Sequence, residues 1–132
     1  MEKSTELRDL VLRCYEAVSS EGQRASLRYV SQTKEMLYLG TDPDEWWEGY
    51  DTYKRGIEAL GEEWDEISVI AGDLRAYCEG TVGWVADQPK IVMPDGTDFT
   101  MRFTAVFRKE NGDWKGIQWH WSIGVPNEEV ID

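Results

Sequence analysis

The sequence contains a single histidine, His120, which lies between two tryptophans in the segment GIQWHWSIGV. An imidazole with an unperturbed pKa of about 6.5 suits general base catalysis, and Asp87 could complete an acid/base pair with it. Side chains alternate between the two faces of a strand, so we expect His120 on the face opposite Trp119 and Trp121. A polar residue on the outer face of a sheet is more typical of a hydrogen-bonded subunit interface than of an active site. We therefore favour an interface role for His120 over catalysis.

Other kinds of site find little support in the sequence. Ser122 follows His120 by two residues without the GxSxG pattern of a nucleophilic serine. Cys14 and Cys78 lack the spacing of a metal site or a disulfide framework. The acidic segment TDPDEWWEG could hold a metal, but Asp42 suits a helix cap to which Glu45 bonds back. We expect neither a metal nor a cofactor.

Composition excludes several classes of partner. The chain has 132 residues, which we expect to form a single domain spanning 1–132. Its formal net charge of −12 repels nucleic acid backbones and anionic lipid headgroups, so we expect neither nucleic acid nor a membrane as a partner. The segment MEKSTELRDL lacks the apolar core of a signal peptide, which favours a cytoplasmic location.

The elements that would position these residues follow from two periodicities. An apolar stripe at helical spacing predicts a helix of about four turns that ends at Gly22, then a short helical piece near 23–29 and a brief strand at EMLYLG. The segment after TDPDE continues at helical spacing to Trp64. Period-two alternation then predicts four strands, at about 67–78, 82–93, 98–109 and 114–125. This order predicts an α+β fold in which about three N-terminal helices cover the concave face of a curved antiparallel sheet.

The turns between the strands predict which residues lie opposite each other. A three-residue loop at ENGD would place Thr104 opposite His120, and Phe103 opposite Trp121. A two-residue loop at PDG would place Asp87 opposite Thr104, on the outer face. Seven tryptophans are hard to pack without gaps, so we expect the aromatic side chains of the inner face and of the helices that cover it to line a ligand pocket: Tyr15, Trp47, Tyr50, Trp84, Phe103, Trp119 and Trp121. The predicted dimer interface on the outer face comprises Asp87, Arg102, Thr104, Gln118, His120 and Ser122.

Three segments resemble the SnoaL-like branch of the nuclear transport factor 2-like superfamily: LGTDPDEWWEGYD, GWVADQ and MRFTAVFRKENGDWKGIQWHWSIGVPNEE. The resemblance implies a cone-shaped α+β half-barrel of the cystatin-like type that dimerises through its sheet and holds a pocket between sheet and helices. The C-terminal hairpin is also similar to that of the association domain of calcium/calmodulin-dependent protein kinase, which points cationic residues into such a pocket. Here the corresponding positions are Ala105 and Trp121, which favours a flat, apolar ligand over an anion.

Ketosteroid isomerase shares this fold and uses a tyrosine beside a protonated aspartate in an apolar site. Tyr15 resembles that tyrosine in placement, but we expect no matching carboxylate on the apolar face. The sequence therefore leaves Tyr15, Asp87 and His120 as weak catalytic candidates. The first hypothesis is a homodimer that binds a small, largely apolar or aromatic molecule and could catalyse isomerisation, proton transfer or hydration. The alternative is a non-catalytic dimerisation or ligand-sensing module.

Overall fold

The computed structural model of the protein describes residues 1–131. The first helix, α1 (Thr5–Glu21), carries the predicted apolar stripe on its buried face. Ser4 caps it by accepting a hydrogen bond from the Leu7 amide at 3.1 Å, and Gly22 ends it with a φ of 96°. A 3-10 helix (Gln23–Tyr29) follows, as predicted. Three shorter helices come later: α2 (Tyr50–Glu58), α3 (Glu62–Asp65) and α4 (Asn127–Val130).

Within residues 1–131, ten strands form two sheets. They are β1 (Glu2–Lys3), β2 (Leu37–Leu39), β3 (Trp46–Glu48), β4 (Ser68–Ile70), β5 (Arg75–Glu79), β6 (Val82–Asp87), β7 (Lys90–Val92), β8 (Asp98–Thr100), β9 (Arg102–Glu110) and β10 (Asp113–Ser122). The main sheet has the order β1-β5-β6-β9-β10-β2-β3, and the small sheet has the order β4-β7-β8. All paired strands run antiparallel except β10 and β2. The curved, unclosed main sheet with helices on its concave face confirms the predicted α+β cone.

The acidic segment before Trp46 does not begin a helix. The Asp42 amide donates to Glu45 Oε1 at 2.9 Å, as the predicted cap requires, but the Glu45 amide returns to the Asp42 carbonyl and closes a turn. The next residues form β3, which pairs with β2 instead of extending the helix backwards. The helical prediction for Trp46 was wrong because pairing with a neighbouring strand overrides a local capping pattern.

Three of the four predicted long strands are interrupted at one level of the cone. The breaks lie at 71–74, at Gln88 and Pro89, and at Met101. Pro89 has no N–H to continue the ladder, and its carbonyl accepts the Met101 amide at 2.9 Å across the gap. The segments beyond the breaks turn away and build the small sheet.

The loop of the last hairpin differs from the prediction, but the pairing of the residues farthest from the loop does not. Asn111 and Gly112 form a two-residue loop with φ values of 53° and 85°, so Glu110 pairs with Asp113. A bulge at Ile117 then shifts the pairing by one residue. The two differences cancel, so His120 lies opposite Thr104 as predicted. Between the loop and the bulge, the even-numbered residues of β10 face inwards instead of the odd-numbered ones. Gly116 is therefore buried on the inner face beside Trp119.

Candidate functional site

A cavity of about 540 Å³ lies between the concave face of the main sheet, the helices and the small sheet. Its inner wall consists of Trp119 and Trp121 from β10, and α1 closes one side with Tyr15. Exposed residues of the turn that precedes β3, such as Asp44, stand at its mouth. The remaining lining residues are Cys14, Val18, Gln23, Ser26, Tyr38, Thr41, Asp42, Glu45, Trp47, Tyr53, Leu60, Trp64, Ile67, Val69, Ile91 and Met101.

The cavity brings together four of the residues predicted for the pocket: Tyr15, Trp47, Trp119 and Trp121. Phe103 is fully buried behind them and stacks on Trp121, with ring centroids 4.3 Å apart. It supports the wall without forming the surface of the cavity.

Two residues predicted for the pocket lie elsewhere. Trp84 pairs with Val106 rather than Phe107, so its side chain projects to the outer face and stacks on Tyr77 at 5.0 Å. The prediction for Trp84 was wrong because the PDG turn closes the small sheet, so it does not set the register between β6 and β9. Tyr50 begins α2 and is half-buried against the core outside the cavity lining.

Sequence reasoning missed three aromatic residues of the cavity: Tyr38, Tyr53 and Trp64. Tyr38 stacks on Trp47 with centroids 5.1 Å apart and packs against Tyr53 at 4.9 Å. Tyr53 and Trp64 belong to the same helical stripe as Tyr50, so the periodicity could have identified them. Tyr38 lies in a strand of only three residues, too short for its faces to be read from alternation.

Asp87 lies on the inner face, where the sequence analysis did not place it. It is opposite Phe103, is 6% exposed, and accepts the Tyr15 hydroxyl at 2.9 Å. The Gly72 amide at 3.1 Å and the Gln88 amide at 2.8 Å also donate to its carboxylate. The predicted position of Asp87 in the interface was wrong, and so was the expectation that the apolar face lacks a carboxylate.

The hydrogen bond to Asp87 defines what Tyr15 can do. Burial raises the pKa of Tyr15, and the charge of Asp87 and the hydrogen bond to it raise it further, so the hydroxyl keeps its proton. That proton is donated to Asp87, which leaves only the oxygen lone pairs for a ligand. Tyr15 can therefore accept a hydrogen bond from a bound molecule but cannot also donate one as an oxyanion-hole tyrosine would.

His120 lies on the outer face of the main sheet, opposite Thr104. Both residues are exposed, as are Arg102 and Gln118 on the same face, and Ser122 is half-buried. His120 and Asp87 occupy opposite faces of the sheet, so they cannot act on one substrate as an acid/base pair.

The mouth of the cavity is acidic. Asp42, Asp44 and Glu45 line it, and Asp42 and Glu45 are held in the turn by hydrogen bonds from backbone amides. Burial raises the pKa of Tyr38, and the nearby charge of Glu45 raises it further, so this tyrosine also stays neutral. Across residues 1–131, the cavity lining contains no lysine, arginine or histidine.

The remaining chemistry of the wall is limited. Burial raises the pKa of Cys14 to about 12, so its thiol remains protonated and is a poor nucleophile. Trp119 packs directly against Gly116, where a Cβ atom would overlap its indole nitrogen, and its N–H has no hydrogen-bond partner among the residues described. Within that same part of the chain, no three His, Cys, Asp or Glu side chains cluster closely enough to hold a metal ion.

No helix within residues 1–131 is long and apolar enough to cross a membrane.

Solved structures with the same fold are numerous, although their sequences are distant. An NTF2-like protein of unknown function from Pseudomonas putida has a TM-score of 0.80 at 18% identity, covering 96% of this chain and 93% of that one. A candidate ketosteroid isomerase from Parabacteroides distasonis has a TM-score of 0.74 at 18% identity, with 96% and 97% covered. The association domain of the kinase CaMKII from C. elegans, at 15% identity, has a TM-score of 0.65, with 89% and 93% covered.

No curated protein matches the chain. At the identities above, the structural matches establish the fold alone. The family model described as the SnoaL-like domain matches residues 7–126, which includes nearly all of α1, strands β2 to β10 and every residue that lines the cavity. The protein therefore belongs to the SnoaL-like domain family, within the NTF2-like, cystatin-like fold.

Proposed function

We propose that the protein binds a small, largely apolar or aromatic molecule in the cavity between the main sheet and the helices. The observation that carries this proposal is a cavity of ligand size with aromatic rings on several sides. Its volume of about 540 Å³ falls within the roughly 300–1,000 Å³ typical of small-molecule sites. Trp119 and Trp121 from the sheet face Tyr15 from α1, while Trp47 and Tyr38 form a stacked pair at the side.

The polar groups of the cavity support binding more than catalysis. Asp87 already accepts three hydrogen bonds, two of them from backbone amides, so its carboxylate is engaged by the protein and not by the cavity. Tyr15 has committed its only proton. Isomerisation, proton transfer or hydration would each need a free acid or base near the ligand, so our proposal is binding without an assigned reaction.

A fluorescence titration tests this proposal. N-phenyl-1-naphthylamine is neutral, fluoresces strongly in apolar surroundings and is small enough for the cavity. We expect it to bind the wild type, and we expect Val69→Trp, which fills the cavity from β4, to weaken binding at least about tenfold. Val82→Trp is the matched control, because Val82 is 45% exposed on β6 and does not line the cavity. Equal binding by wild type and Val69→Trp, or no binding at all, would refute the proposal.

A second proposal is self-association through the outer face of the main sheet. This face exposes a polar row that includes Arg102, Thr104 and His120, beside the half-buried stack of Tyr77 and Trp84. The fold is also found in an association domain of CaMKII, which supports self-association as the role of this surface. Self-association is compatible with ligand binding, because the two use opposite faces of the sheet.

A further inference from the structure

The charges around the cavity all have the same sign. Asp42, Asp44 and Glu45 stand at its mouth, and among the residues that the structure describes none of the three forms a salt bridge. No basic side chain of residues 1–131 lines the wall to offset them. A net charge of −12 for the whole chain adds to the negative potential there.

A further carboxylate lies buried behind the wall. Asp87 is 6% exposed, and within residues 1–131 all its hydrogen-bond donors are neutral: the Tyr15 hydroxyl and two backbone amides. Among residues 1–131, no lysine, arginine or histidine pairs with this carboxylate. Its field reaches the cavity through the Tyr15 hydroxyl, which is polarised so that its oxygen becomes a better acceptor.

The aromatic rings of the cavity wall also favour a positively charged ligand. The faces of tryptophan and tyrosine rings are electron-rich and attract cations that lie within about 6 Å of the ring centre. Trp47, Trp64 and Trp121 line the cavity together with Tyr38. Aromatic faces, an acceptor oxygen and a carboxylate mouth together complement a positive charge on an apolar body.

We infer that the cavity selects an organic cation: an ammonium group, with at least one N–H to donate to Tyr15, attached to a flat apolar or aromatic body. This inference rests on the proposed function and names the ligand class of that same cavity. The apolar body is buried against the aromatic wall, while the ammonium group donates to the Tyr15 oxygen, whose own proton is directed to Asp87. An anion of the same shape is repelled by both the mouth and the buried carboxylate.

Three probes with one aromatic body separate the charge from the shape. They are 1-naphthylmethylamine, 1-naphthylmethanol and 1-naphthoate, which at pH 7 are a cation, a neutral alcohol and an anion. Each is titrated into the wild-type protein against bound N-phenyl-1-naphthylamine, and the dissociation constants are compared. We expect the amine to bind at least about tenfold more tightly than the alcohol, and the anion to bind most weakly. We also expect added salt to reduce the preference for the amine.

A pair of variants locates the source of the preference. The double variant Asp44→Asn with Glu45→Gln removes two charges from the mouth. We expect it to weaken binding of the amine several-fold and to leave the affinity for the alcohol unchanged. The matched control, Asp113→Asn with Glu128→Gln, removes two exposed charges that do not line the cavity, and should leave both affinities as they are.

Each outcome decides one of the two proposals. Equal affinity for amine and alcohol, or tightest binding of the anion, would overturn the cation inference while leaving ligand binding intact. An equal effect of the mouth variant and its control would also overturn it, because the preference would then come from net charge alone. Failure of all three probes and of the fluorescent reporter to bind would refute the proposed function itself.

Discussion

At the scale of single residues, the bond between Tyr15 and Asp87 is the most consequential contact of the cavity wall. It links the middle of α1 to the end of β6, where the long strands break. Asp87 also accepts the Gly72 and Gln88 amides, so one carboxylate connects two neighbouring strand breaks, at 71–74 and at Gln88 and Pro89. We interpret the pair as a positioning element that fixes the depth of α1 over the sheet and points the Tyr15 oxygen at the cavity.

Removing Asp87 should therefore lower the stability of the isolated protein. Asp87→Ala leaves three buried or half-buried donors without an acceptor, and we expect a loss of about 3 kcal/mol or more in the free energy of unfolding. Tyr15→Phe removes one hydrogen bond to a charged group and should cost about 1.5–3 kcal/mol. Denaturant titration measures both values.

Asp73→Ala is the matched control for Asp87→Ala, because the Asp73 side chain is 90% exposed and pairs with the similarly exposed Arg75 at 3.6 Å. Its effect should stay within about 0.5 kcal/mol. If Asp87→Ala were as mild as this control, the carboxylate would not hold the break in the strands.

At the scale of elements, the packing of α2 against β3 sets the position of one aromatic wall of the cavity. Gly56 lies inside α2, and a Cβ atom there would overlap the ring of Trp47. Trp47 cannot easily move, because it is stacked on Tyr38 and packs against Tyr53. The absence of a side chain at Gly56 is what allows helix and ring to approach.

Gly56→Ala tests this packing. An alanine in a helix interior normally adds about 0.5–1 kcal/mol of stability relative to glycine, but here we expect the overlap with Trp47 to outweigh that gain. The variant should melt at a lower temperature and show altered tryptophan fluorescence. Gly61→Ala is the control, since a Cβ at Gly61 meets nothing within 4 Å and its φ of −69° suits alanine. A gain in stability at Gly56 would contradict the described packing.

The hairpin of β9 and β10 is fastened to the loop after the 3-10 helix by Glu110. Its carboxylate accepts the Ser31 hydroxyl at 2.6 Å and pairs with Arg108 at 2.8 Å. Burial opposes the charged form of Glu110, but the bonds from Ser31 and Arg108 outweigh it, so its pKa is lowered in the folded protein.

A lowered pKa in the folded state predicts a pH dependence with a definite sign. Glu110 adds stability above its unfolded pKa of about 4.3, and the contribution is lost as the pH falls through the lower, folded pKa. Glu110→Gln should therefore be less stable than the wild type near neutrality, with the difference shrinking in acid. Melting temperatures of both proteins across the acid range measure this, with Glu128→Gln as the exposed control. A difference that persisted unchanged in acid would show that the charge of Glu110 is not responsible.

The elements also show how far the sequence determines this fold. Period-two alternation correctly assigned the inner face to Phe103, Ala105, Trp119 and Trp121, because these side chains face a largely apolar interior. It failed for Trp84 and Asp87. Each lies on the face opposite to the predicted one, because the pairing of β6 with β9 is shifted by one residue from the predicted register. Nothing local marks that offset except Pro89, whose missing N–H breaks the strand and separates the PDG turn from β6.

The cavity itself was only partly predictable. Apolar periodicity identifies which side chains face inwards, but it does not distinguish a ring that fills the core, such as Phe103, from one that borders open space, such as Trp121. That difference depends on how far the helices and the small sheet stand from the main sheet, which is a property of the assembled elements.

At the scale of the whole molecule, the two faces of the main sheet have separate proposed roles. The inner face borders the cavity, and the outer face presents the polar row with His120. A sheet that serves both roles would allow two copies to pair back to back while both cavities remain open.

Light scattering tests the pairing. We expect the wild type to show about twice the chain mass of 15.2 kDa, and Thr104→Arg to shift it towards the monomer, because the new charge lies on the face that also carries Arg102. Thr100→Arg adds the same side chain at an exposed position of β8 in the small sheet and should not change the mass. A monomeric wild type, or a dimer that is indifferent to Thr104→Arg, would exclude this surface as the interface.

The seven tryptophans allow one direct measurement of whether the cavity is the binding site. Each indole N–H gives its own signal in a nitrogen–proton correlation spectrum, and single Trp→Phe variants assign them. On titration with 1-naphthylmethanol, we expect the signals of the cavity tryptophans to move: Trp47, Trp64, Trp119 and Trp121. The signals of Trp46 and Trp84, which do not line the cavity, should stay in place. Movement of Trp84 with the cavity signals unchanged, or no movement of any signal, would contradict the account.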